Sequence, residues 1–190
     1  MNGSDEKLPE LFDFPNGEIV KERVLESRGR IARSFGQMFS GYGKCADDVL
    51  NVTIKVEQYD GVVEMRNISF VSFCEHHFLP FLGTVDLAYH PRTTITGLGK
   101  LVRLVKDVHA KRLQIQEIMT KDIVEDLMRV LDAKGAHVRT KAKHLCICGR
   151  GPDDQTGWTQ VSYGAGTLES FAFDYFADDC SRRKEASSMD

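Results

Sequence analysis

No stretch of this sequence approaches the roughly 18 consecutive apolar residues a membrane helix requires, so no helical span is expected. The opening Met1-Asn2-Gly3-Ser4-Asp5-Glu6 has neither a basic start nor an apolar stretch, and so does not read as a signal peptide. Positive charge is in short supply as well. Lys and Arg number 25 against 28 Asp and Glu, a net charge of -3, which argues against a general nucleic-acid binder. The cysteines do not suit a disulfide framework: there are five, an odd count, and Cys146 and Cys148 stand one residue apart in a strand-like segment. Together these absences point to a cytoplasmic protein with reduced thiols. No internal repeat recurs at a fixed period. What is present is a chain of 190 residues, 42% hydrophobic and 28% charged, long enough to bury one sizeable core in one domain.

Residues 1–17 are polar and aperiodic and read as a flexible arm. Over residues 18–42, Val20, Val24, Ile31, Phe35, Met38 and Tyr42 recur at helical steps and predict an amphipathic helix. Leu50, Val52, Ile54 and Val56 then alternate with polar residues, and Asp60-Gly61 predicts a hairpin turn into a partner strand over 63–73. Val85, Leu87 and Tyr89 mark a third strand, closed by His90-Pro91. A helix is expected after Thr96-Gly97, and a second over 114–131 with Ile115, Met119, Ile123, Leu127 and Val130 on one stripe. Beyond Gly135, Val138, Thr140, Ala142, His144, Cys146 and Cys148 share one strand face by period two. Thr159, Val161 and Tyr163 suggest a last strand, 168–176 a short helix, and 177–190 a polar tail. Paired strands, then a helical pair, then more strands predict an α+β fold.

Chemistry concentrates at Cys74-Glu75-His76-His77, where two soft donors at Cys-x-x-His spacing form half of a metal site. His144 and Cys146, on one strand face, offer the other half. Three ligands, Cys74, His77 and Cys146, leave a position open for water, as a catalytic metal requires; adding Cys148 gives a closed structural site. On spacing alone a buried Cys is also simply a small apolar side chain. His76 and His144, the leftover imidazoles, suit proton transfer at neutral pH or orientation of the ligands. Gln116-Glu117 opens a helix, where acidic residues favour the dipole; the functional reading is a carboxylate accepting N–H donors from a purine or pterin edge. Lys100, Arg103 and Arg150 are either phosphate ligands or a solvated face.

Four motifs in order carry a resemblance. Cys74-Glu75-His76-His77 before Pro80-Phe81, Gly97-Leu98-Gly99-Lys100-Leu101 with Arg103, Arg112-Leu113-Gln114-Ile115-Gln116-Glu117, and His144-Leu145-Cys146 with Arg150-Gly151 together resemble GTP cyclohydrolase I, over about residues 28–175. The resemblance implies the tunnelling fold, an antiparallel four-stranded sheet with two antiparallel helices, here after an N-terminal helix. It implies a catalytic domain over 18–176 and a shortened N-terminal region. It further implies a homo-oligomer, a decamer of two stacked pentamers with sites between subunits. By the same resemblance Cys74, His77 and Cys146 bind zinc, and His76 and His144 act as acid and base. Gln116 and Glu117 hold the guanine edge, and Lys100, Arg103 and Arg150 the triphosphate. The implied reaction opens the imidazole ring of GTP, releases formate and forms 7,8-dihydroneopterin triphosphate, the first step towards tetrahydrofolate or tetrahydrobiopterin. Three departures bear on the phosphate side: Gly99 in place of the usual Ser, one extra residue between Lys100 and Glu117 that is expected to turn Arg103, and Pro152 after Arg150-Gly151. They leave two alternatives open, a non-catalytic zinc-containing pterin- or purine-binding relative, or a cyclohydrolase for a related purine nucleotide.

Overall fold

A computed structural model describes residues 9–57 and 59–173. The first eight residues of the expected arm and the whole polar tail lie outside the described residues. In order, a 3-10 turn Pro9–Phe12 leads into α1 Gly17–Met38, a second 3-10 turn Ser40–Gly43, α2 Ala46–Val49, β1 Thr53–Lys55, β2 Val63–Cys74, β3 Pro80–His90 and β4 Thr94–Thr96. Then follow α3 Leu98–Arg103, a π-helical turn Leu104–His109, β5 Leu113–Gln114, α4 Gln116–Leu131, β6 Gly135–His144, α5 Leu145–Cys148 and β7 Thr159–Gly166. Among the described residues no helix is long and apolar enough to cross a membrane.

The α+β expectation holds. The main sheet runs β5-β2-β3-β6-β7, with β2, β3, β6 and β7 antiparallel in sequence and β5 adding two residues parallel to the end of β2. Val85, Leu87 and Tyr89 of β3 are fully buried, as their alternation predicts, beside Val138 and Ala136 of β6. Met119, Ile123 and Leu127 of α4 and Leu101, Leu104 and Val105 of the α3 segment complete one core cluster over these strands. A buried aliphatic side chain of this size contributes about 1.5–3 kcal/mol, so this stripe alone accounts for the docking of α4. The α3 segment leads from the His90 end of β3 back to β5, beside Cys74, and α4 runs the other way to Gly135, so the helical pair is antiparallel.

Four local expectations need correction. The segment at 53–55 pairs with β4, through Thr53↔Thr96 to Lys55↔Thr94, and β2 pairs with β3 and β5, so Asp60-Gly61 closes no hairpin between them. The strand expected to run on to Cys148 stops at His144 and turns into α5. The helix expected from Leu168 is a turn through Ser170, and residues 174–176 lie outside the described residues. Finally, α1 forms with its predicted stripe, yet among its residues only Gly17 is buried. Val20 and Phe35 remain 42% and 38% exposed, Phe35 being covered only on the side where the Phe39 and Phe78 rings pack.

Candidate metal centre and its surroundings

The site gathers where β2 ends, β3 begins and β6 ends. Cys74 closes β2, and residues 75–78 form a tight turn in which Phe78 N–H donates to the Cys74 carbonyl at 2.8 Å, while Cys74 N–H donates to the Leu79 carbonyl at 2.8 Å. This turn holds Phe78 at φ 56, a left-handed conformation that costs a bulky residue on the order of 1 kcal/mol. Aromatic packing offsets it: the Phe78 ring lies 5.4 Å from Phe35, 5.5 Å from Phe39 and 6.1 Å from Phe73, centroid to centroid. The C-terminal end of α1 is thereby fastened to the turn that carries both histidines.

Two further strands bring in the remaining residues. Gln114 of β5 pairs with Cys74, and Glu75 N–H donates to the Gln114 carbonyl at 3.2 Å, which sets the start of α4, and with it Gln116 and Glu117, beside the turn. Phe81 of β3 pairs in register with His144 of β6, and their rings stack at 4.5 Å with an interplanar angle of 1°. Immediately after His144 the backbone becomes helical. Two residues of strand would have put Cys146 and Cys148 on one face; two residues of helix separate them by about 200°. Cys146 is 8% exposed and turns inward, and Cys148 leaves the group.

Cys74, His77 and Cys146 offer ligand atoms that lie within 4.8 Å of one another, the group of this kind found among the described residues. Cys74 Sγ is 3.8 Å from His77 Nδ1 and 3.9 Å from His76 Nδ1. Two thiols and an imidazole so spaced can close around an ion at the usual 2.0–2.3 Å bond lengths. Burial pushes the Cys146 thiol up, and the facing Cys74 thiol adds to this, while Arg150 opposes it. The donor set therefore fits a soft, tetrahedral metal with a position left open.

Around this group His144 has its Nε2 2.7 Å from Gln116 Oε1. Burial pushes its imidazole down from the ordinary range, and the Glu117 carboxylate opposes the shift, which also locates Glu117 at this end of the chain. Arg150 is exposed and near enough to Cys146 to oppose the rise of its thiol. Gln116, expected against the guanine edge, is instead 2% exposed, and both ends of its amide are engaged within the chain. Lys100 and Arg103 are not brought here. They lie on α3, near the opposite end of the sheet, about 20 Å away by strand and helix rise. Lys100 Nζ donates to Asn51 at 3.3 Å, and Arg103 is exposed. The stretch after Arg103 is the π-helical turn Leu104–His109, where Ala110 N–H reaches back five residues to the Val105 carbonyl at 2.8 Å.

Sequence reasoning missed Thr120 and Thr140 as parts of the site. Thr120 stands four residues after Gln116, and Thr140 four before His144 on one strand face, so spacing could have found both.

Known proteins resemble this chain over most of its length. The family model for GTP cyclohydrolase I matches residues 6–173. The chain is 40% identical over 151 residues to GTP cyclohydrolase 1 of Wolinella succinogenes, covering 80% of each chain. It is 41% identical over 167 residues to the protein of the same name from Pelagibacter ubique, covering 87% of this chain and 82% of that one. Against that of Clostridium perfringens it is 41% identical over 134 residues, 70% of this chain and 71% of the other. The chain belongs to the GTP cyclohydrolase I family.

Proposed function

We propose that this protein is a zinc-dependent GTP cyclohydrolase I that hydrolytically opens the guanine imidazole ring, releases formate and forms 7,8-dihydroneopterin triphosphate. The observation that carries the reading is the convergence of Cys74, His77 and Cys146 within 4.8 Å, with His144 on the paired strand beside them. Thiolate and imidazole donors select zinc over magnesium or calcium. Zinc held by these three residues would supply a water activated at neutral pH.

The remaining work falls to the chain's own groups. His144, whose pKa burial lowers against the opposing Glu117 carboxylate, accepts a proton at its free ring nitrogen and returns it to the purine nitrogen released as the ring opens. His76, exposed on the turn beside Cys74, serves the second hydrolysis, in which formate leaves. Glu117 accepts from N–H groups of the guanine edge, and Arg150 faces the phosphates at this end. Lys100 and Arg103 reach the triphosphate from a neighbouring subunit, since within one chain they stand about 20 Å away.

Open edges support such an assembly. β5 covers only Phe73 and Cys74 of β2, and β7 pairs on one side alone among the described residues. Neighbouring copies that continue the sheet remove these edges and bring a second chain's cations to the first chain's metal group; the ring is a decamer of two pentamers. The four described cysteines are free thiols, in keeping with a cytoplasmic enzyme. Incubating zinc-loaded protein with GTP should yield formate and, after oxidation, a fluorescent pterin. Zinc-replete protein that yields neither would overturn the reading and leave a purine- or pterin-binding role.

A further inference from the structure

We infer that Gln116, Thr120 and Thr140 form a directed hydrogen-bond chain that keeps a proton on Nε2 of His144 and leaves Nδ1 as the nitrogen offered to substrate. The functional meaning rests on the proton-transfer role proposed for His144; the direction of the chain does not.

One end of the chain is an atom that can only accept. The Gln116 backbone carbonyl lies 2.7 Å from Thr120 Oγ1, so that hydroxyl donates there. Thr120 Oγ1 is also 2.8 Å from Thr140 Oγ1, and with its single hydrogen committed it accepts from Thr140. Thr140 Oγ1 then has only lone pairs for its contact with Gln116, so the Gln116 atom 3.0 Å away is the amide nitrogen. Two more acceptors require the same answer independently: the backbone carbonyls of Thr140 and Thr159 each lie 3.3 Å from that atom. With nitrogen on that side, Oε1 faces His144 Nε2 at 2.7 Å, and a carbonyl oxygen can only accept. Nε2 therefore carries hydrogen.

The chain is also shielded and held flat. Thr120 and Thr140 are fully buried and Gln116 is 2% exposed, so water offers no competing partners. The parallel stack on Phe81 fixes the plane of the His144 ring. Among the described residues His144 Nδ1 has no partner within the chain. Gln116, Thr120 and Thr140 are thus positioning residues that act through His144 without touching the reacting atoms, in the way that a fixed partner on one nitrogen sets the role of the other.

Neutron diffraction from crystals of the deuterated, zinc-loaded protein reads the chain directly. Deuterium is expected on His144 Nε2, and on Thr140 Oγ1 directed at Thr120; a bare Nε2 would overturn the inference. In solution, Gln116→Met keeps the length but removes both amide ends. It should lower kcat on the order of 100-fold while KM for GTP stays within about twofold, because only orientation of the proton-transfer group is lost. A raised KM with unchanged kcat would instead make Gln116 a direct purine contact and sink the positioning role. If Gln116→Met does not fold, the neutron map decides alone. If the wild-type protein releases no formate, the proposed activity falls while the map still decides the tautomer.

Discussion

At the end of the sheet farthest from Cys74, His90 is wholly spoken for: Nδ1 meets Thr167 Oγ1 at 3.0 Å, Nε2 meets Asp60 at 2.9 Å, and Lys134 Nζ reaches the same carboxylate oxygen at 2.6 Å. At the metal end, His76 and His77 share a four-residue turn, stand exposed, and each turns a ring nitrogen toward one thiol with no other polar partner among the described residues. Both ends draw on the same residue types in the same sheet. The difference is whether polar valences are met within the chain, and a cluster whose donors converge on each other without being satisfied is what a ligand completes. His137, whose Nδ1 lies 3.0 Å from the Leu168 carbonyl, belongs with His90 in the satisfied class.

The sharpest way to break this contrast is to remove a ligand. Cys146→Ser should abolish stoichiometric metal binding, whereas Cys148→Ser should retain it, since only Cys146 turns into the group. Equal loss of zinc in both variants, measured by elemental analysis, would restore the closed four-ligand site. Next, His76→Ala and His144→Ala should keep their zinc and lose about 10²–10⁴ of the turnover rate, while His90→Ala keeps its rate and loses about 1 kcal/mol of stability. Mass spectrometry should find GTP plus one water accumulating in the variant that blocks only the second hydrolysis. Wild-type turnover in both site variants would reduce these histidines to supports.

A smaller effect comes from mixing subunits. Arg103→Ala and His144→Ala proteins, each inactive, should regain part of the activity when reassembled together, and failure in assembled rings would put the whole site in one chain. The smallest effect belongs to the satisfied class. Burial opposes ionisation of Asp126, but hydrogen bonds from His109 and Arg129 outweigh it and hold the carboxyl below its usual range. A depressed folded-state value gives stability that is present above the unfolded value of about 4 and lost as pH falls through the folded one. Asp126→Asn should flatten the acid side of a melting-temperature profile by less than about 1 kcal/mol. An unchanged acid slope would remove Asp126 from the account.

The sequence made α4 and β3 legible because their apolar periods are met by a core in the same chain, and it made Cys74 and His77 legible because Cys-x-x-His spacing is local, whereas Cys146 came from 72 residues farther along the chain. Where it misled, a pattern reported less than was asked of it. The stripe of α1 records amphipathicity without recording what covers it. Alternation at residues 50–56 marks an extended segment and says nothing of its partner, which proved to be β4. Period two through Cys148 outlasted the strand, since a single helical turn leaves the residue types unaltered. The resemblance gave Gln116 and Glu117 one role, and helix geometry turns adjacent residues about 100° apart, so Glu117 is exposed while Gln116 is buried.

The π-helical turn at Leu104–His109 changes how chain length should be weighed. A π turn holds one residue more than an α turn, so it can absorb a residue while what lies before and after keeps its aim. In a stretch built this way, chain length is a poor measure of how its two ends are aimed.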